Sequence, residues 1–408
     1  MEKLAEFVSQ HISDDPVRLV MNRNRWPEID MDMAVNCIES RKKLRDKVRE
    51  WYEEPRLVFP LKLSAEQCSS SATGRYKAEL AGRIAGKDPW TIADLTGGLG
   101  VDSWFFSSRS EKVLYNEMQD ILCKAARHNF MVLNAMNISI SNETAQPGCI
   151  GQLLNGFKPD IVYMDPARRG EGGRKVFLIE DCTPDVLTLK DEIFTHARHI
   201  LLKLSPMADI SMVCSRLGSS CREVHVVASA GECKELLIWL DREWNGGHEI
   251  TAVEIKNDGS YSEFLFSPSD EKAAAPHLSG SPFLQERWLF EPGKALMKAG
   301  AFNLISERFG ICKLGASTHY YIIDDVAKAD ELKDHGKVFR IIRCGPLDKR
   351  SIKSAGKDYP KAEVTARNIP MDTETLRKKL GVSSGDDIHI FGLRSDKEGN
   401  LLFVASRF

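Results

Sequence analysis

No stretch of the sequence approaches the roughly 18 apolar residues that a membrane-crossing helix needs, and the opening MEKLAEFVSQHISDDPVRLV mixes charges throughout, unlike a secretion signal. These absences predict a cytoplasmic protein with no membrane partner. Zinc spacing is missing too: the nearest of the ten cysteines, Cys214 and Cys221, stand seven apart. No metal is therefore expected, and the thiols read as reduced, space-filling side chains. Net charge is nearly absent, with 56 Lys and Arg against 58 Asp and Glu. Any attraction to nucleic acid must then be local. What remains is an ordinary globular composition, 42% hydrophobic and 28% charged, over 408 residues. At about 150 residues per domain that length fits two to three domains and excludes a single small binding module.

Glycine is absent before Gly74, and apolar positions recur at three and four in LAEFVSQHI and MAVNCIESRKKLRDKVREWYEE. Residues 1–88 are therefore predicted as a helical region. From Trp90 to Arg242 the apolar runs TIADL, VLYNE, DIVYMDP and ARHILLKLSP alternate with helix-like stretches, which predicts an α/β, doubly wound, Rossmann-like parallel sheet. EVHVVASAGECKELLIWL has room for a turn but not for a crossover helix, so the sheet is expected to end in an antiparallel hairpin. SPSDEKAAAPHLSGSPF reads as a linker, followed by small α+β units. The expected divisions are 1–88, 89–275, 276–335 and 336–408.

The strongest chemical signal is IADLTGGLGVDSWFF, residues 92–106, in which a buried strand ends at Asp94 and a loop with Gly97, Gly98 and Gly100 turns into a helix. Glycines let a ligand approach the backbone, and the helix start offers N–H groups to an anion. Glu117 ends the next apolar run seventeen residues after Gly100, where an acid can hold two ribose hydroxyls. A carboxylate as close as Asp94 repels a dinucleotide pyrophosphate. It suits S-adenosylmethionine, whose amino-acid end carries an ammonium that Asp94 can help hold. The competing reading of Asp94 and Glu117 is a pair of surface or capping carboxylates. Either Asn142 or Glu143, in NISISNETA, is expected to face the adenine amino group.

These motifs, with Asp165-Pro-Ala-Arg168 and the hairpin, resemble a class I S-adenosylmethionine-dependent methyltransferase. RLVFPLKLSAEQCSSSATGRYKA, DLTGGLGVD, MDPARRG, LKLSPMADI and LFEPGKALMKAG resemble, more narrowly, a bacterial group of such enzymes ending in a THUMP-like domain. The resemblance runs from about Arg56 onward. It implies a ferredoxin-like unit at 276–335, a THUMP-like domain at 336–408, and RNA, either tRNA or rRNA, as partner. Thr96 stands where that family's loop has its first glycine. Its hydroxyl either bonds the donor's amino-acid end or belongs to a β-branched residue finishing the strand.

Asp165 lies at the carboxyl end of a strand, the edge where open α/β sheets bind ligands. Methyl transfer is an in-line displacement, so the protein must align an acceptor and take up a proton. Asp165 is expected to align or deprotonate the acceptor, with Pro166 stiffening the turn and offering its carbonyl. Ala167 and Arg168 depart from the Asp/Asn-Pro-Pro-aromatic pattern of amino-group methyltransferases and look closer to RNA 5-methyluridine enzymes. Those enzymes need a nucleophilic Cys after the fifth strand, where LLKLSPMAD has Ser205. Non-covalent transfer to a nitrogen or a ribose oxygen is the remaining reading. Lys203 and Ser205 share that edge and either touch the acceptor or are a solvated Lys and a turn-capping Ser. Arg168, Arg169, Arg174 and Lys175 form a basic loop suited to phosphate.

Between residues 337 and 379 twelve Lys or Arg face five Asp or Glu. This local excess, including Lys353 and Lys357, is suited to a phosphate backbone. Two other functions fit the sequence: an RNA-binding protein on a non-catalytic methyltransferase fold, and a methyltransferase for protein or a small molecule. The oligomeric state is not encoded in any motif.

Overall fold

The computed structural model describes residues 1–168, 178–278, 287–385 and 387–408. They form two compact units, Met1–Val224 with Glu235–His248, and His225–Lys234 with Glu249–Phe408. Among the described residues no helix is long and apolar enough to cross a membrane.

The first unit opens with α1 (Glu2–Gln10), α2 (Pro16–Met21), α3 (Met31–Leu44), α4 (Arg49–Glu53), α5 (Lys62–Gln67) and α6 (Ser71–Ala85). Asp15, Asp30 and Ser70 cap α2, α3 and α6 by accepting backbone N–H bonds, as short polar side chains do at helix starts. Between α4 and α5, Leu57, Val58 and Phe59 are fully buried. Asn129 fixes this segment, its Oδ1 accepting from Val58 N at 2.9 Å and its Nδ2 donating to Val58 O at 2.8 Å.

The chain then alternates β1 (Thr91–Asp94), α7 (Val101–Ser107), β2 (Lys112–Asn116), α8 (Asp120–Val132), β3 (Ile138–Ser141), α9 (Ile150–Leu154) and β4 (Ile161–Met164). After β5 (Ala167–Arg168) and β6 (Cys182–Thr183) come α10 (Val186–His196), β7 (His199–Leu204), α11 (Ile210–Leu217), β8 (Cys221–Ser229) and β9 (Glu232–Asp241). Strands β7, β4, β1, β2 and β3 are neighbours in that order and parallel, and β9 joins β7 antiparallel. β4 is buried along its whole length, which explains its unbroken apolar sequence. The order reverses between β1 and β4, so their carboxyl ends flank the crevice where this topology binds ligands. The β8–β9 connection is tighter than ASAGECKE implied. Only Ala230 and Gly231 turn, both at positive φ, a geometry matched to the twist of paired strands.

In the second unit β10 (Glu249–Ile255) and β11 (Tyr261–Phe266) form an antiparallel pair, followed by α12 (Pro268–Ala273). This helix lies in the expected linker. Ser267 and Asp270 form a capping box with Pro268 at the first turn, and such a start suffices without apolar periodicity. The rest is β12 (His277–Leu278), β13 (Trp288–Pro292), α13 (Lys294–Ala299), α14 (Leu304–Phe309), β14 (Cys312–Lys313), β15 (Tyr321–Ile323), α15 (Val326–Leu332), β16 (Gly336–Pro346), α16 (Lys349–Asp358), β17 (Glu363–Arg367), α17 (Thr373–Leu380), β18 (Ile388–Ser395) and β19 (Gly399–Arg407). One sheet holds eight of these strands, ordered β12-β14-β15-β13-β16-β19-β18-β17. The basic segment around 349–358 is the helix α16. It buries only Ile352, Ala355 and Gly356, too few apolar positions to reveal a helix by pattern.

Candidate active site

A cavity of about 280 Å³ opens at the carboxyl ends of β1, β2 and β4. Asp94, Thr96, Gly98, Gly100, Glu117, Glu143 and Asp165 all line it. The loop after β1 is shaped by sterics. A Cβ on Gly97 would lie 2.2 Å from the Tyr115 ring, and one on Gly100 would lie 2.8 Å from Phe130. Gly98 is glycine for another reason, its φ of +55°. A Cβ there would meet only the Thr96 carbonyl oxygen at 3.8 Å, so the space over Gly98 is open to a ligand. Tyr115 braces the loop by donating its hydroxyl to Gly98 O at 2.6 Å.

The carboxylates at the strand ends are part of the loop's architecture. Asp94, 1% exposed, accepts from Thr96 N at 3.0 Å and from the Ser103 hydroxyl at 2.6 Å. Burial outweighs these bonds and pushes its carboxyl up to about 7. Glu117 accepts from Gly98 N at 3.0 Å and Gln119 N at 2.8 Å, tying the acid to the glycine turn. Each of its oxygens keeps a lone pair for a hydroxyl. Thr96 Oγ1 accepts from Asp165 N at 2.6 Å, which ties the ends of β1 and β4 together.

Beside Glu117, Asn142 Nδ2 donates to the Glu117 carbonyl at 2.7 Å, whereas Glu143 lines the cavity. Asn116 sits behind them, donating to Leu95 O and Glu143 O and accepting from Glu143 N.

At the β4 edge Asp165 Oδ2 is 2.5 Å from Lys203 Nζ. Burial disfavours the Lys203 ammonium, but the carboxylates of Asp165, Glu235 and Asp102 overcome it and hold Lys203 well above its usual range. Lys203 is thus a donor and not a base near neutral pH. Pro166 is buried, and Ser205 Oγ accepts from Met207 N at 3.2 Å as a turn cap. Neither is among the residues lining the cavity. The pairing of β5 with β6 sets Ala167 opposite Thr183, and Ala167, Thr183 and Pro184 line this end. Arg168 lies on β5. Arg169, Arg174 and Lys175 fall outside the described residues. Lys353 and Lys357 lie one turn apart and exposed on α16, in the second unit.

Three groups of site residues escaped sequence reasoning. First is Asn116, which supports the turn from behind, beside Gly97, whose place in the loop was legible but whose packing under Tyr115 was not. Helix α5 and its connection to α6 contribute Ser64, Gln67, Cys68 and Ser69 to the cavity wall. Burial pushes the Cys68 thiol up to about 11, so it is no ready nucleophile. Third is a buried charge cluster of Lys77, Asp102 and Glu235, in which Lys77 Nζ bonds Ser69 Oγ at 2.7 Å and Glu235 Oε1 at 2.8 Å and lies 3.2 Å from Asp102 Oδ1. The sequence does carry a signal for Lys77: Gly74, Lys77, Ala81 and Ile84 share the buried stripe of α6.

Residues 336–407 match a family described as THUMP domain-like, and 288–329 match a ferredoxin-like domain. No curated protein matches the chain. A crystal structure from Porphyromonas gingivalis W83, provisionally assigned as a methyltransferase, is 28% identical, covers 100% of this chain and 98% of its own, and superposes with a TM-score of 0.88. An rRNA methylase from Streptococcus thermophilus is 11% identical, with 41% of this chain and 93% of that one covered and a TM-score of 0.31. With its doubly wound sheet and glycine turn, the chain is thus similar over its full length to a methyltransferase-fold protein, and its C-terminal part matches ferredoxin-like and THUMP domain-like families.

Proposed function

We propose that this protein transfers the methyl group of S-adenosylmethionine to RNA, with a nitrogen or ribose oxygen as acceptor and no covalent enzyme intermediate. The observation that carries the reading is the convergence on one cavity of the glycine turn, Glu117 and Asp165, from three different strand ends. The residues fit such a donor. The open space over Gly98 admits a ligand to the backbone, Glu117 suits ribose hydroxyls, and Leu122, Met118 and Ala145 offer apolar contact beside polar Glu143. Asp94 and Thr96 would face the amino-acid end. When bound, the donor supplies an electrophilic methyl carbon on a sulfonium.

Asp165 would accept a hydrogen bond from the acceptor group and orient its lone pair, with Lys203 fixing the carboxylate from behind. Ser69, Gln67 and Thr183 would complete the polar wall. RNA is favoured by the THUMP-like region and by the basic excess around α16 and α17. The test is transfer of labelled methyl groups to RNA from cells lacking the gene. Wild type should label RNA, and Asp165→Ala should label it about 100-fold more slowly. Label confined to protein refutes the substrate, and unchanged transfer by the variant refutes the role of Asp165.

A further inference from the structure

The largest unexplained polar feature is the charge buried beneath the acceptor end. Lys77 is 0% exposed, and Glu235 and Asp102 show side-chain exposures of only 4% and 11%. An unpaired ammonium at such a site is strongly disfavoured, so the pairing must be close to complete. Lys77 reaches Ser69, Glu235 and Asp102, and Asp102 Oδ2 also accepts from Ser69 Oγ and from the Tyr163 hydroxyl, each at 2.9 Å, while Asp102 Oδ1 has only the ion pair to Lys77 at 3.2 Å and no hydrogen bond among the described residues. The two lysines together hold Asp102 below the usual carboxylate range against the effect of burial.

Three carboxylates, Asp102, Glu235 and Asp165, thus face two ammonium groups, Lys77 and Lys203. Lys203 feels all three carboxylates but bonds Asp165. Competition explains why this arrangement needs Lys77. With Glu235 and Asp102 neutralised by Lys77, Lys203 is left to Asp165. Without Lys77, two buried carboxylates would draw Lys203 inward and leave Asp165 unsupported at the cavity.

We propose that Lys77, supplied by the N-terminal helical region, is a positioning residue for methyl transfer: by pairing with Glu235 and Asp102 it reserves Lys203 for Asp165. The inference rests on the methyl-transfer reading. It assigns the helices before β1 a part in the acceptor site beyond wall building, because α6 and the α5–α6 connection carry Lys77 and Ser69.

The test compares wild type, Lys77→Met, Lys77→Arg and the double variant Lys77→Met/Glu235→Met, which removes one charge of each sign. Two readouts are taken: labelled-methyl transfer to RNA from cells lacking the gene, and S-adenosylhomocysteine affinity by calorimetry. For Lys77→Met we expect kcat to fall about 100-fold, as misplacing a reacting group by about 1 Å does, with S-adenosylhomocysteine affinity within about twofold of wild type. Lys77→Arg and the double variant should each recover at least about tenfold of that loss. Transfer retained by Lys77→Met, equal losses of transfer and product affinity, or failure of both rescues overturns the positioning role and leaves the methyl-transfer reading standing. A wild-type protein that binds S-adenosylhomocysteine yet methylates no RNA overturns both together.

Discussion

If Asp94 faces the donor's ammonium as proposed above, it couples donor binding to pH. Its carboxyl sits near 7 because burial outweighs the bonds from Ser103 and Thr96, with Asp102 and Asp165 nearby adding to the rise. A donor ammonium favours the carboxylate form, so below about 7 binding must expel a proton. Affinity for S-adenosylmethionine is therefore expected to weaken as pH falls from 8 to 6, approaching tenfold per unit on the acid side. Calorimetry in buffers of different ionisation enthalpy measures this release directly, and Asp94→Asn should bind weakly with little pH dependence. A flat wild-type profile refutes the ammonium role. The sign for stability follows from the same shift. A carboxyl raised in the folded state favours folding at low pH and loses that contribution as pH rises through about 7. Asp94→Asn, always neutral, should accordingly melt above wild type at pH 8 and lose that advantage at pH 5.

The glycine turn shows how an element can be specified from outside itself. Gly97 is packed under the Tyr115 ring, whose hydroxyl also holds Gly98 O, whereas Gly98 faces open space. Gly97→Ala should displace Tyr115 and lower both melting temperature and S-adenosylhomocysteine affinity. Gly98→Ala should cost about 1–2 kcal/mol of left-handed strain and act mainly on affinity. Equal effects on stability from the two would show that packing behind the turn is not what demands Gly97. This contrast marks what was legible in the sequence. Asp94, Glu117 and Asp165 could be found because each ends an apolar run, and strand ends on one sheet edge must converge. Asn116, Asp102 and Glu235 could not, because their roles depend on partners brought together only by folding, and Gly97, though visible in the glycine loop, shows its packing demand only once Tyr115 is placed over it. α16 was hidden in the same way: its sparse apolar positions gain meaning only against Leu380 of α17, whose carbonyl oxygen lies 1.8 Å from where a Cβ on Gly356 would stand.

At the scale of the molecule, the ferredoxin-like and THUMP-like regions share one sheet, since β13 pairs with β16 from Trp288–Arg340 to Pro292–Gly336. Their core is common as well: Leu289, Leu314, Tyr320 and Ile322 pack with Phe339, Phe391, Leu401 and Phe403. Four large apolar side chains at about 2 kcal/mol each are comparable with the whole stability of a typical domain, about 5–15 kcal/mol. A fragment of residues 336–408 alone should therefore lack a cooperative melt in circular dichroism, while 249–408 should show one. Within the THUMP-like region, α16 and α17 bury Ile352, Ala355, Leu376 and Leu380 against one face of the sheet. That packing leaves Lys349, Arg350, Lys353, Lys357, Lys378 and Lys379 exposed. The near-zero net charge of the chain thus conceals a concentrated basic surface, and phosphate contacts made there, as the proposed RNA substrate would require, would release counterions. Lys353→Glu/Lys357→Glu should weaken RNA binding to all sequences alike and lower the salt slope by about two, one for each lost phosphate contact. S-adenosylhomocysteine affinity should stay unchanged, because neither residue lines the cavity. Filter binding of bulk tRNA and rRNA across a salt series, beside calorimetry of the same variant, separates the outcomes. An unaltered salt slope would remove α16 from the RNA surface, and a matching loss of product affinity would show that the basic face and the donor cavity do not act separately.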